Sequence, residues 1–355
     1  MRILLVVRSL NAVSYKSFVR YAQELFSRLR KYHHVDALEI PLDETAKGFS
    51  KEKQALLPFR TALRLLGKRA KNYDIVHAID PMLGAVLPIF TSRSIVTFHD
   101  LVPLTLPGHW RWEWAIQAYF SVVYNMAAKA GMLLANSSQT AAELVTVLGV
   151  NKGKVRVVSL GVDGKFRPLE RPRRLPTLGF LGNLGPRKRA DYAIRVYRIL
   201  RDRGFNCQLI IAGGEIPEPS RHEHRNQILR LSQGIDGIKL LGHVPEDDMV
   251  NLYNSFDLFL CTSDTEGLGL PILESQRCGV PVLVRKDARI PQEVTKAAVV
   301  CDSPEDMASK AARLLSDADY YEKVRQAGLL HSSAFTWDST AEGTLQGYHE
   351  LLRRV

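Results

Sequence analysis

Two glutamates eight residues apart, Glu266 and Glu274, bracket a glycine-rich stretch within DLFLCTSDTEGLGLPILESQRCGVPVLV, residues 257–284. An apolar run ends at Cys261 and a loop holding Gly267 and Gly269 follows. Pro271 then suits a first helical turn, where its missing N–H would be unpaired anyway. Backbone N–H groups at such a turn, backed by the helix dipole, suit an anion, phosphate above all. The carboxylates would repel that anion; they suit sugar-like hydroxyl donors. The plainer explanation is that Glu274 complements the helix N-terminus and Glu266 is a solvated loop residue. A second place is GNLGPRKR, residues 182–189. Arg187 and Lys188 adjoin there between a predicted strand and a predicted helix, where they could neutralise a diphosphate and stabilise its departure. The plainer reading is a solvated basic loop. A third is the pair His99-Asp100, just beyond the apolar run Ser94–Phe98; by itself, a structural histidine.

The elements that must position these residues follow from periodicity. Short β-branched apolar runs predict strands at Arg2–Val7, Val35–Ile40, Asp74–Ala78, Ser94–Phe98, Met132–Asn136 and Val155–Val158. A second series is predicted at Thr177–Leu181, Cys207–Ala212, Ile238–Leu241, Asp257–Cys261, Pro281–Val284 and Ala298–Cys301. Most are continuous rather than alternating, as in strands covered on both faces. Segments of helical period, such as Ser17–Leu29 and Asp191–Arg201, lie between them, so two parallel doubly wound domains are expected. We place them at 1–165 and 166–336, with a helix at 337–355 packing on either. GVDGKFRPLERPRRLP, residues 161–176, reads as an exposed linker. Ligands of such sheets sit outside the carboxyl ends of the strands, so the expected site is a cleft between the two domains.

The string joining Glu266 to Glu274, with GLGLP after the first and CGVPV after the second, resembles the signature of the family-four retaining glycosyltransferases of GT-B fold, glycosyl transferases group 1. The resemblance spans about residues 74–350 and includes Ala135–Ser138 and Val157–Phe166. It implies an N-terminal acceptor-binding and a C-terminal nucleotide-sugar-binding domain, both Rossmann-like. It also implies that Glu274 meets the nucleotide ribose and Glu266 the donor sugar, with the backbone of Gly267, Leu268, Gly269 and Leu270 near sugar and phosphate. GNLGPRK resembles the family's G-x-L-x-P-R-K turn, in which Lys188 would grip the phosphates beside Gly182, Asn183 and Arg187. Asn183 stands where some members carry a diphosphate-contacting arginine, so that contact falls to Arg187. His99 would touch the donor sugar; Asp100 would orient it or meet the acceptor hydroxyl. The first loop, RSLNAVSYKSF, lacks the family's usual paired glycines. Either Ser14 and Lys16 replace those contacts or the loop serves the acceptor, together with Trp110. No metal or cofactor is implied, only a GDP- or UDP-linked hexose as substrate and a lipid-linked or growing glycan as acceptor. Leaving-group departure and acceptor attack on one face, with the donor phosphate aiding deprotonation, is the implied mechanism. A sugar-nucleotide epimerase or phosphorylase of the same fold, or a non-catalytic nucleotide-sugar binder, is the alternative.

Charge adds a separate expectation. The 355 residues hold 48 Lys+Arg and 37 Asp+Glu, and 22 basic against 12 acidic residues fall within 1–165. The excess in that half suits an anionic partner. Lys47, Lys51, Lys53, Arg60, Arg64, Lys68, Arg69 and Lys71 share their segment with one acid, Glu52, and with Leu56, Phe59, Leu63 and Leu66 at helical spacing. Such a helix either lies on an anionic membrane or packs its leucines on the sheet. Trp110, Trp112 and Trp114 are a second interfacial candidate. No zinc finger, stacking motif or recognition helix points to nucleic acid. The four cysteines (Cys207, Cys261, Cys278, Cys301) are widely spaced and read as buried thiols. MRILLVV before Arg8 is too short for a signal core, and no long apolar run occurs, so the expected place is the cytoplasm, at most peripheral to the inner membrane face.

Overall fold

A computed structural model describes residues 1–8, 10, 16–40, 56–68, 70–105, 113–170, 175–214 and 222–355. The chain divides into two units. One comprises Met1–Gly161 with Trp337–Val355; the other is Val162–Thr336. Within the first, β1 (Arg2–Val7), β2 (His34–Glu39), β3 (Ile75–Ala78), β4 (Ser94–Phe98), β5 (Met132–Ala135) and β6 (Val155–Val157) form one parallel sheet in the order β2-β1-β3-β4-β5-β6. The central strands are apolar throughout because helices cover both faces: every residue of β3, β4 and β5 is buried. The observed strand ends agree with the sequence reading to within a residue or two.

One polar network crosses this core. His77 on β3 bonds Tyr348 Oη through Nδ1 at 2.8 Å and Thr97 Oγ1 on β4 through Nε2 at 2.7 Å, and Thr97 also meets Tyr21 Oη at 3.0 Å. Tyr21 belongs to the helix Lys16–Leu29 and Tyr348 to the helix Trp337–Arg354, which pack on each other. Burial pushes the His77 imidazole down to about 3, so it is neutral and each nitrogen has a hydroxyl to match. The last helix sits close on β5: a Cβ on Gly347 would lie 3.2 Å from Leu134 and 3.3 Å from Met132.

The second sheet holds β7 (Thr177–Leu181), β8 (Gln208–Ala212), β9 (Ile238–Gly242), β10 (Leu258–Cys261), β11 (Val282–Arg285) and β12 (Val299–Cys301), all parallel, in the order β12-β11-β10-β7-β8-β9. The chain starts at β7, runs outward to β9, then returns to add β10 on the other side of β7. That reversal opens a crevice at the carboxyl ends of β7 and β10. Gly179 on β7 makes room for an aromatic layer, since a Cβ there would lie 2.2 Å from the Phe256 ring. The four cysteines are buried and none is in a disulfide.

Two expectations need correction. The stretch from Gly161 is not an exposed linker at its start: Val162 and Phe166 are buried, Lys165 pairs with Glu246 at 2.9 Å, and Val162 N–H donates to Phe335 O. Its apolar side chains are spaced to dock on the second unit, and they outweigh the Gly-Pro signal. The helix Leu57–Lys68 does not pack Leu56, Phe59, Leu63 and Leu66 on the sheet; those four are exposed, and Leu57, Thr61 and Leu65 are the buried face. Ser14, Trp110, Trp112, Lys47, Lys51, Lys53, Glu52 and Arg69 lie outside the described residues, as do the side chains of Lys16 and Lys68.

The buried network makes a definite claim on stability. Tyr348→Phe leaves His77 Nδ1 buried without its hydroxyl and is expected to cost about 1–3 kcal/mol, read from urea unfolding. An unchanged midpoint would show that the network does not hold the last helix.

Candidate active site

In the second unit the crevice residues come from two loops. β7 runs into Gly182-Asn183-Leu184-Gly185 and a 3₁₀ turn at Pro186–Lys188, before the helix Ala190–Asp202. Arg189 joins turn to helix in the left-handed region, at φ 53°, where a side chain costs roughly 1–2 kcal/mol. The surroundings hold it there: Arg189 Nε reaches Asp191 at 3.0 Å, and its carbonyl accepts from Thr262 Oγ1 at 2.8 Å. This kink aims Lys188 across the crevice at the loop after β10.

That loop carries Glu266. Lys188 Nζ lies 2.6 Å from Glu266 Oε1 and Arg187 Nη1 lies 3.4 Å from Oε2. Arg187 Nη1 also donates to the Thr265 carbonyl, and Asp264 N–H donates to the Arg187 carbonyl at 2.8 Å. Behind them Arg285 Nη1 meets Asp264 Oδ1 at 2.6 Å while its Nε and Nη2 hold Asp287. Burial, the largest influence on the Glu266 carboxyl, would raise its pKa; Lys188 and Arg187 together outweigh it and hold the group at about 2. The site is thus a carboxylate clamped by two cations at the mouth of the crevice.

The loop ends at Gly269, whose φ of 97° a glycine accepts readily, and the helix Leu270–Arg277 begins with no side chain capping its first amides. Glu274 stands one turn in, buried, and accepts from Tyr253 Oη at 2.7 Å. Tyr253 is itself fixed among Phe166, Phe256 and Phe259. Glu274 therefore does not act at the helix N-terminus in the way its plainer reading supposed; an aromatic layer grips it. An uncapped helix start, two cations and two carboxylates together suit a ligand with both a diphosphate and hydroxyls.

In the first unit, His99 and Asp100 follow β4. Arg8 from the end of β1 and Asp80 beyond β3 form a buried ion pair at 2.8 Å near them, with the Arg8 guanidinium 5.1 Å from the Phe18 ring centroid. His99 is half-buried, edge-on to Phe18 and Tyr21. Its Nε2 lies 2.9 Å from the Ile79 carbonyl, which can only accept, so Nε2 carries the proton. Burial, the largest influence, lowers the His99 pKa, which keeps the ring neutral and leaves Nδ1 as an acceptor suited to a hydroxyl. The Ile79 carbonyl orients His99, while Asp100 accepts from Val102 N–H at 3.1 Å. Thr140, on the helix capped by Ser137, donates to Asn136 Oδ1 at 3.2 Å and reaches the His99 carbonyl at 3.4 Å.

The structure brings Arg187, Lys188 and Glu266 into contact, with Gly182 beside Lys188 and Gly269 beside Glu266; Asn183, Gly267, Leu268 and Leu270 lie in the same two segments, and Glu274 lies one turn into the helix against Tyr253. Sequence reasoning missed Tyr253, Asp264, Arg285 and the Arg8–Asp80 pair. Each acts through a partner distant in sequence, and no local spacing announces it.

The clamp predicts a pH dependence. Glu266 titrates lower folded than at its ordinary 4.5, so its stabilisation is complete above that pH and is lost as pH falls toward 2. Wild type should lose about 3 kcal/mol relative to Glu266→Gln over this interval, measured by denaturant unfolding at stepped pH. Parallel curves for the two proteins would show that the clamp contributes nothing. At neutral pH Tyr253→Phe should cost about 1–3 kcal/mol by removing a donor from buried Glu274.

Comparison with known proteins bears on the fold and the family. The family described as Glycosyl transferases group 1 matches residues 163–330, and Glycosyltransferase Family 4 matches 19–166. The O-antigen chain mannosyltransferase B of Escherichia coli is 25% identical over 277 residues, 74% of this chain and 71% of that one. The D-inositol 3-phosphate glycosyltransferase of Thermobifida fusca is 29% identical over 248 residues, 64% of this chain and 57% of that one. The match thus spans little more than half the length of that second relative. Among solved structures, sucrose-phosphate synthase from Thermosynechococcus elongatus superposes with a TM-score of 0.76 at 17% identity, covering 100% of both chains. Anabaena HepE in complex with UDP and glucose gives 0.72 at 16%, covering 98% of each. With both units matched and two parallel sheets of GT-B type, the chain belongs to the group 1 glycosyltransferase family.

Proposed function

We propose that this chain transfers a hexose from a nucleotide diphosphate to a lipid-linked or growing glycan acceptor, with retention at the anomeric carbon. The observation that carries the reading is the clamp: Lys188 and Arg187 converge on Glu266 at the turn that opens the helix bearing Glu274. A donor diphosphate is the anion that two neighbouring cations beside an uncapped helix start fit, and in the transition state they would stabilise the charge growing on it. Glu274, gripped by Tyr253, would accept from ribose hydroxyls, and Glu266 from the sugar once Lys188 turns to phosphate. Arg187 takes the place of the arginine that Asn183 lacks.

The mechanism we propose departs and attacks on one face. Glu266 is paired to the cations that would hold the leaving group, which suits a counter-charge rather than a nucleophile. The bond from the anomeric carbon to the donor phosphate oxygen breaks, the acceptor oxygen bonds to that carbon, and its proton passes to the departing phosphate. His99 Nδ1, an acceptor by its tautomer, would hold a donor-sugar hydroxyl, and Asp100 an acceptor hydroxyl. No metal is proposed in this scheme; Lys188 and Arg187 supply the positive charge. The name of the Escherichia coli relative favours mannose as the first sugar to try, and the UDP complex of HepE keeps uridine donors in the comparison.

A panel of GDP- and UDP-linked hexoses tests this by thermal shift and slow donor hydrolysis. One donor should raise the melting point, since binding favours the folded state. Lys188→Ala should lower turnover about 10²–10³-fold, as for other lost transition-state charges. Glu274→Ala should weaken donor binding more than turnover. The product anomer, read by NMR, should match the donor's. No shift with any nucleotide sugar, or an inverted product, would overturn the reading.

A further inference from the structure

The helix Leu57–Lys68 buries Leu57, Thr61 and Leu65 and turns Phe59, Leu63 and Leu66 outward at 62, 54 and 66% exposure, with Leu56 just before it 50% exposed. A helix on a sheet ordinarily does the reverse, with polar residues outside. It carries Arg60 and Arg64 and no acidic residue. The helix Glu113–Ala127 shows the same habit: Trp114, Ala118 and Val122 form an exposed stripe, Trp114 at 73% and Val122 at 60%. Both helices pack against the short turn Pro81–Gly84, which lies on β1, β3 and β4, so they flank it on one side of the first sheet. The turn Leu87–Phe90 packs on the second helix and adds Ile89, 73% exposed.

Scattered exposed apolar residues are ordinary, but a face of this extent marks an interaction site. Charge identifies the occupant. The half of the chain bearing this face holds 22 basic and 12 acidic residues, so a second copy would bring like charge to it. A lipid headgroup layer with anionic lipids meets both demands, taking up apolar side chains and attracting cations. We propose that the outer face of the helices Leu57–Lys68 and Glu113–Ala127 seats this protein on an anionic bilayer. The tryptophan suits the headgroup level and the arginines the phosphate plane above the leucines. The inference stands on exposure and charge, and it holds whichever sugar the enzyme transfers.

Co-sedimentation of the full chain with vesicles tests it, using phosphatidylcholine alone and phosphatidylcholine mixed with phosphatidylglycerol. The wild type should pellet with the mixed vesicles, and less so as salt rises. Phe59→Ser combined with Leu63→Ser should weaken binding more than tenfold with only a small change in the melting point, because more than half of each side chain is in water. Arg60→Gln should weaken it about fivefold. Equal binding by the double variant, or equal binding to both vesicle types, would overturn the proposal. A dimer in analytical ultracentrifugation that the double variant abolishes would overturn it too, by assigning the face to a second copy.

Discussion

A buried carboxylate needs a counter-charge, and at the β7–β10 crevice two cations supply it to Glu266 at once. That single requirement arranges much of the second unit. Lys188 can reach Glu266 only because the backbone kinks at Arg189, and the kink persists only because Asp191, Asp264 and Thr262 hold that residue. Asp264 is in turn fixed by Arg285, which rises from the end of β11. An incoming diphosphate would compete with the carboxylate for the same two cations. Exchanging one anion for another keeps the charges balanced throughout, so the site avoids a state with two adjacent cations and no anion between them.

The first unit meets a similar demand with neutral groups. His77 is buried deeply enough to lose its charge, and two hydroxyls satisfy its nitrogens. His99, nearer the strand ends, has one nitrogen committed to a carbonyl and the other left as an acceptor. Two histidines twenty-two residues apart in sequence, one on β3 and one just beyond the neighbouring β4, thus take different parts: one fixes a helix, the other is available to a ligand.

Much of this was legible before any coordinates. The central strands were readable because they are covered on both faces and so are almost uninterruptedly apolar. Glu266, Glu274 and Lys188 were readable because glycine and proline around them record a turn. Tyr253 was not, since nothing in its own neighbourhood says that its hydroxyl meets Glu274, twenty-one residues on. Arg8 and Asp80 lie seventy-two residues apart and pair only because β1 and β3 are neighbours. The leucines of the helix Leu57–Lys68 have the right period for packing, but period alone does not say which face turns inward; Leu57 and Leu65 won the core.

The last helix returns to the first unit after the whole second unit has been completed. The second unit is therefore an insertion in the first, and the chain passes between them at Gly161–Val162 and again at Thr336–Trp337. During synthesis the contiguous second unit has all its parts as soon as residue 336 has emerged. The first, begun earlier, must wait for Tyr348 before His77 finds both partners. The unit made first is finished last, and until then its core carries a polar group unsatisfied.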